Sequence, residues 1–180
     1  LVWGLVLATA YYASGMFGLA TPQIGAHVSL IWPAAGLAFA ALVRLRPGMW
    51  PAVMLGALPV ALSTGLPLWA AVLTALGNAA GPALAAESLR RHGLHTNLDR
   101  RQDLWRFGLG AGAATLVSAT NGTCWLVLSG ALPWTLAPAA WASWWLGDLM
   151  GVIVVGVPLL TASRATLRRA FGDWRWVPGL

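Results

Sequence analysis

The sequence predicts an all-α, polytopic transmembrane helix bundle of six spans with both ends cytoplasmic, and three observations carry that expectation. Of 180 residues, 58% are hydrophobic and 9% charged, with a mean hydropathy of +0.71. A soluble domain carries about a quarter charged residues because its surface faces water. Apolar runs approaching the ~20 residues needed to cross a hydrocarbon core recur along the whole chain. Finally, the net charge of +6 comes from residues that are all arginine on the basic side, clustered between the apolar runs.

The first span is expected from Leu1 to Ala20, followed by an external connection containing Pro22, Gln23, Gly25 and His27. The second runs from Val28 to Arg46, with Trp32-Pro33 near its start, where a proline's missing donor costs nothing. Pro47, Gly48 and Pro51 turn the chain into a third span, Met49 to Thr64, and Gly65-Leu66-Pro67 turns it into a fourth, Leu68 to Leu89. The polar stretch RRHGLHTNLDRRQDLWR, residues 90–106, belongs in water or among headgroups. The fifth span, Leu104 to Ser129, and the sixth, Pro138 to Ala162, are separated by a loop with Gly130 and Pro133. A second basic segment follows, and Trp176 to Leu180 reads as the start of another span. The absence of an initiator methionine at Leu1 reads as a fragment of a longer protein, one integral membrane domain over 1–180.

Six alternating spans place Arg44, Arg46, the arginines of 90–106, and Arg164, Arg168, Arg169 and Arg175 on one side and none on the other. By the positive-inside rule that side is cytoplasmic. Arginines anchoring helix ends also explain the charge without nucleic acid as a partner. Gly77 and Gly81, Gly108 and Gly112, and Gly147 and Gly151 lie four apart on one helix face. They read as packing surfaces where backbones approach closely, and any pair is also a candidate homodimer contact.

Polar residues within spans are costly and face the bundle interior. Asp148 lies ten residues into the sixth span, about 15 Å deep at the helical rise, with no arginine at that depth. A structural interhelical hydrogen bond and a ligand or proton site both account for it. Trp141, Trp144, Trp145 and Asp148 share a stripe that suits either a bound cation or an interfacial aromatic belt. Asn78 and Asn121 are read as interhelical hydrogen-bonding residues, and Glu87 as an ion-pair partner of Arg90 or Arg91. Trp32, Asn78, Asn121, Trp144, Trp145 and Asp148 together form the candidate ligand-binding set, a polar pocket opening outward. No catalytic constellation, metal-ligand spacing or cofactor motif is present, and Cys124 reads as a small hydrophobe.

Four blocks, in order, resemble the type-one MASE domain, a bacterial membrane-associated sensor family. They are IWPAAGLAFAAL at 31–42, MWPAVMLGAL at 49–58, ALGN at 75–78 and WASWWLGDLMG at 141–151. Ala34 stands where that family often has a second proline, and Gly81 where it often has an acidic residue. The resemblance implies a sensory input module of about eight spans in the bacterial inner membrane. It implies a small ligand of unknown identity, and a covalently linked cytoplasmic histidine kinase, diguanylate cyclase or phosphodiesterase as the output. It also implies that this chain is not itself an enzyme. The rival reading from size and span number is a small six-helix transporter or the substrate-binding component of an importer.

Overall fold

The short second helix, rich in alanine and glycine, determines how the others are arranged. A computed structural model of the chain describes residues 2–20 and 31–162. The expected connection at Pro22–His27, the basic segment from Arg164 and the start of a span at Trp176 lie outside the described residues. Six helical rods follow one another: α1 (Val2–Ala20), α2 (Pro33–Arg44), α3 (Trp50–Ser63), α4 (Leu68–Arg91), α5 (Arg101–Leu128) and a last rod. That rod comprises α6 (Ala137–Gly151), a π-helical stretch (Val152–Gly156) and α7 (Val157–Thr161). There is no strand among the described residues.

Three of the rods, Val2–Ala20, Leu68–Arg91 and Trp134–Thr161, are long and apolar enough to cross a membrane. The expected second span is helical only over Pro33–Arg44. Pro33 at the first helical turn sets its start, Leu45 caps it, and Pro47 opens a separate 3-10 turn, Pro47–Met49. Twelve residues extend only about 18 Å, short of a ~30 Å core. α2 is instead an interior helix: Ala34, Ala35, Gly36, Ala38, Phe39, Ala40, Leu42 and Val43 are all buried. It packs against α1, α4, α6, the π-helical stretch and α7. α3 closes the bundle between α1 and α4, and α5 packs between α4 and α6.

Close approach to the last rod explains the small residues of α2. The amide of Trp32 donates to the carbonyl of Gly147 at 2.9 Å. A methyl group on Gly36 would run into the Gly151 carbonyl and lie 2.8 Å from the Gly156 amide nitrogen. One on Gly151 would run into the Trp32 carbonyl. The pair Gly77 and Gly81 has the same function between α4 and α5, facing Asn121 and the Ala114 carbonyl. The expected packing role fails for Gly108 and Gly112: neither has an atom within 4 Å of where a side chain would start, because they face away from the bundle.

The end of the bundle where α2 and α4 finish and α5 begins is bound together by arginine. One Arg44 guanidinium nitrogen donates to the carbonyls of Leu159 at 2.7 Å, Leu160 at 3.2 Å and Ala162 at 2.7 Å. These are orphan carbonyls of a helix terminus, which need donors from outside the helix. Arg90 reaches the Leu45 carbonyl at 3.3 Å. Gly93, with φ of +66°, closes α4, and Leu94 donates back to the Leu89 carbonyl at 3.0 Å. Glu87 pairs with Arg91 at 2.6 Å as expected, on an exposed face where such a pair adds little.

Replacing Gly151 or Gly36 by alanine pushes a methyl group into backbone, which has no flexible end to yield. Each substitution should lower unfolding stability in detergent by about 1–3 kcal/mol. Gly112→Ala, which meets open space, should leave it within about 0.5 kcal/mol. Denaturant titration of the three purified variants checks the contrast.

Candidate functional site

The helix contacts that bury α2 also bring four rods together around Asp148. Its carboxyl group is 3% exposed and lies beside the Ser118 hydroxyl of α5 and the Trp144 indole N–H of its own helix. Ser118 Oγ donates to Asn78 Oδ1 of α4 at 2.8 Å. The Asn78 side chain and the Trp32 indole lie next to the phenol of Tyr11, a residue of α1 that is 1% exposed. Tyr11 also lies close enough to Asp148 to interact with its charge. Tyr11, Asn78, Ser118 and Asp148 thus form one continuous polar chain crossing α1, α4, α5 and α6.

Ser118 has one hydroxyl proton and two acceptors, Asn78 Oδ1 and the Asp148 carboxyl group. The donor direction along the chain therefore depends on which of them it serves. Pro82 contributes another polar group. Lacking an N–H, it leaves the carbonyl four residues earlier, that of Asn78, without its helical donor. A cavity of about 10 Å³ adjoins these groups, lined by Tyr11, Phe39, Asn78, Pro82, Thr115, Ser118 and Asp148 among others. That is about the space one water molecule requires, and the lining supplies several polar partners for it.

The six residues proposed from sequence divide into two groups. Trp32, Asn78, Trp144 and Asp148 belong to the network. Asn121 lies one turn beyond Ser118 and is fully engaged elsewhere: its Nδ2 donates to the Leu73 carbonyl at 2.8 Å, and its Oδ1 accepts from Trp125 Nε1 at 2.9 Å. It acts as an α4–α5 bridge. Trp145 turns from Asp148 and stacks on Trp141 with centroids 5.9 Å apart, its indole nitrogen buried without a hydrogen-bond partner. Trp141 in turn donates to Thr120 at 3.0 Å. The cavity beside Asp148 is lined by none of Trp32, Asn121, Trp144 and Trp145. Trp144 instead packs its ring on Gly122, where any side chain would collide with it.

Tyr11 and Ser118 were not anticipated. Tyr11 shares the first span with three other hydroxyl residues, Thr9, Tyr12 and Ser14, and nothing in the sequence distinguishes it from them. Ser118 offered only its spacing of three from Asn121. Gly81, where the family often has an acidic residue, has no room for a side chain against the Ala114 carbonyl.

The MASE1 family model matches residues 3–178, nearly the whole chain, and the chain belongs to that family of membrane-associated sensor domains in signalling proteins. No curated protein and no solved structure matches it.

Because Tyr11 contacts Asn78 and not Asn121, a double-mutant cycle separates their roles. Tyr11→Phe combined with Asn78→Leu should show a coupling of about 0.5–1.5 kcal/mol, the range of interhelical hydrogen bonds in membrane proteins. Tyr11→Phe combined with Asn121→Leu should be additive within about 0.5 kcal/mol. Unfolding in mixed detergent reads both cycles.

Proposed function

We propose that this MASE1 domain is the sensory input module of a bacterial inner-membrane signalling protein, with its arginine-rich end in the cytoplasm. The stimulus acts on the polar chain at Asp148, and the response leaves through the last rod towards a C-terminal cytoplasmic histidine kinase, diguanylate cyclase or phosphodiesterase. One observation carries this reading. Asp148 and the carbonyls held by Arg44 belong to the same continuous rod, so a change at the carboxyl group is mechanically connected to the arginine-rich end.

The size of the cavity narrows the stimulus. With room for about one water beside Asp148, the site as built suits a proton or a very small polar ligand. A larger ligand would have to part α1 or α5 from α6 first. Either event shifts a two-state arrangement of helices only by its difference in affinity for the two states. Positive charge on the arginine-rich end supports the orientation.

Fusing the chain to a diguanylate cyclase reporter tests the reading through cyclic di-GMP output in cells. Asp148→Asn should move basal output about fivefold or more in one direction, the low end of ordinary coupling energies. Arg44→Gln should weaken the dependence of output on residue 148. If both variants insert and fold normally yet leave output at the wild-type level, the sensor reading through Asp148 is wrong.

A further inference from the structure

A second, larger cavity lies away from the Asp148 chain, on the outer surface between α4 and α5. It measures about 450 Å³. Its floor and walls come from Gly81, Ala85 and Leu89 of α4 and Gly110, Ala113 and Ala114 of α5, with Leu84 and Leu109 standing exposed along the rims. Small residues on both helices leave a trough with Leu84 on one rim and Leu109 on the other.

The two ends of the trough differ in chemistry. Towards the middle of the helices it is closed by Gly81 and Val117 and is wholly apolar. At the arginine-rich end it is lined by Ser88, His92 and Arg106. Arg106 is half-buried there and has neither hydrogen bond nor ion pair among the described residues. His92 Nδ1 is 2.7 Å from the Ser88 carbonyl, which leaves its Nε2 free to face outward. Arg90, Arg91, Arg100 and Arg101, at the same end of α4 and α5 in sequence, are exposed. A half-buried guanidinium without a counter-charge is costly unless an anion pairs with it.

Length agrees with charge. Gly81 to His92 on α4 and Arg106 to Val117 on α5 each cover about 16 Å at the helical rise. One leaflet of a bilayer with a ~30 Å hydrocarbon core is about 15 Å deep. With the arginine-rich end at headgroup level, as in the orientation proposed above, the trough would reach about one leaflet deep, apolar along its length and cationic where a phosphate would lie.

The geometry points to a binding site for one anionic phospholipid of the arginine-side leaflet, its acyl chain laid between α4 and α5 and its headgroup phosphate on Arg106. Basic pockets between spanning helices at this level recognise such headgroups. Arg106 offers a fork of N–H donors to the phosphate oxygens, and His92 and Ser88 stand beside it as further hydrogen-bonding groups. The site is separate from the polar chain at Asp148, so it can be right or wrong independently of the sensor reading.

Native mass spectrometry of the detergent-purified chain, titrated with phosphatidylglycerol or phosphatidylcholine, tests it. The wild type should retain one phosphatidylglycerol with about fivefold or greater preference over phosphatidylcholine, the effect of roughly one basic side chain at a membrane surface. Arg106→Gln should reduce that preference to near parity. Ala113→Phe, at an exposed position of the trough, should lower retention of both lipids while leaving the melting temperature within a few degrees. Equal retention of the two lipids by the wild type would overturn the site, as would an unchanged preference in Arg106→Gln. So would a dimer that Ala113→Phe dissolves with no lipid retained by the wild type, which would assign the trough to a second copy. Should Ala113→Phe fail to fold, the Arg106→Gln comparison decides the question on its own.

Discussion

Contact between α2 and the last rod, backbone against backbone, is the constraint on which the remaining structure depends. In hydrocarbon no hydrophobic force drives helices together, so association rests on close packing and on hydrogen bonds between helices. Gly36 and Gly151 bring the two backbones so close that a single added carbon collides with main-chain atoms, and at Gly156 it would still be a tight contact. The Trp32 amide, at the start of α2 and outside the helical ladder, is satisfied by the Gly147 carbonyl of the neighbouring rod. At the other end Arg44 fills three carbonyls of the same rod. α2 is therefore fixed to the last rod at both ends and along its middle, and α1, α4 and α6 can enclose it only in this arrangement.

The polar chain at Asp148 follows from that placement. Once Gly151 lies on Trp32, Asp148, less than a turn earlier, points into the junction of α1, α4 and α5. A carboxyl group there must have partners or the bundle cannot form, since polar groups in the membrane interior are accommodated by one another. The Ser118 hydroxyl and the Trp144 indole lie beside it, and beyond them stand Asn78, which accepts from Ser118, and Tyr11. The same interaction that stabilises the fold thus makes the carboxyl group sensitive to the positions of three other helices.

Much of this was legible in the sequence, and the failures have identifiable causes. Helix existence follows from apolar run length, and α1, α3 and α4 begin and end within a few residues of expectation. The extent of α2 was overestimated because hydropathy reports burial, not helicity, and Ile31 and Trp32 are apolar without being helical. Asp148 stood out because a carboxylate in a span is expensive. Asn121 was correctly recognised as a polar bridging residue but assigned to the wrong neighbours. Three positions from Ser118 means about 60° of rotation and one turn of rise, enough to face Leu73 and Trp125 instead. Ser118 escaped notice because serine in a membrane helix commonly bonds back to its own backbone and so signals nothing by itself. Gly108 and Gly112 show the limit of the small-residue spacing, which identifies a smooth helix face but not whether another helix covers it.

The π-helical stretch at Val152–Gly156 follows from the same glycine contact. The buried residues of the last rod that face α2 include Gly147, Gly151, Gly156 and Leu160, separated by four, five and four positions. A regular α-helix would continue from Gly151 to a residue four further on, Val155, and would bring its branched side chain towards Gly36. One extra residue in the turn presents Gly156 there instead, and a methyl group at Gly156 would already lie 3.2 Å from the Gly36 carbonyl oxygen. Single π turns of this kind are rare and concentrate at functional positions, because they exchange regular hydrogen bonding for a specific register. Here the register sets which carbonyls face Arg44. In the proposed sensor, an input at Asp148 that parts α2 from the last rod removes the steric reason for the π turn. The last turns of the rod would then be free to rotate relative to Arg44, carrying a change deep in the membrane to its arginine-rich surface.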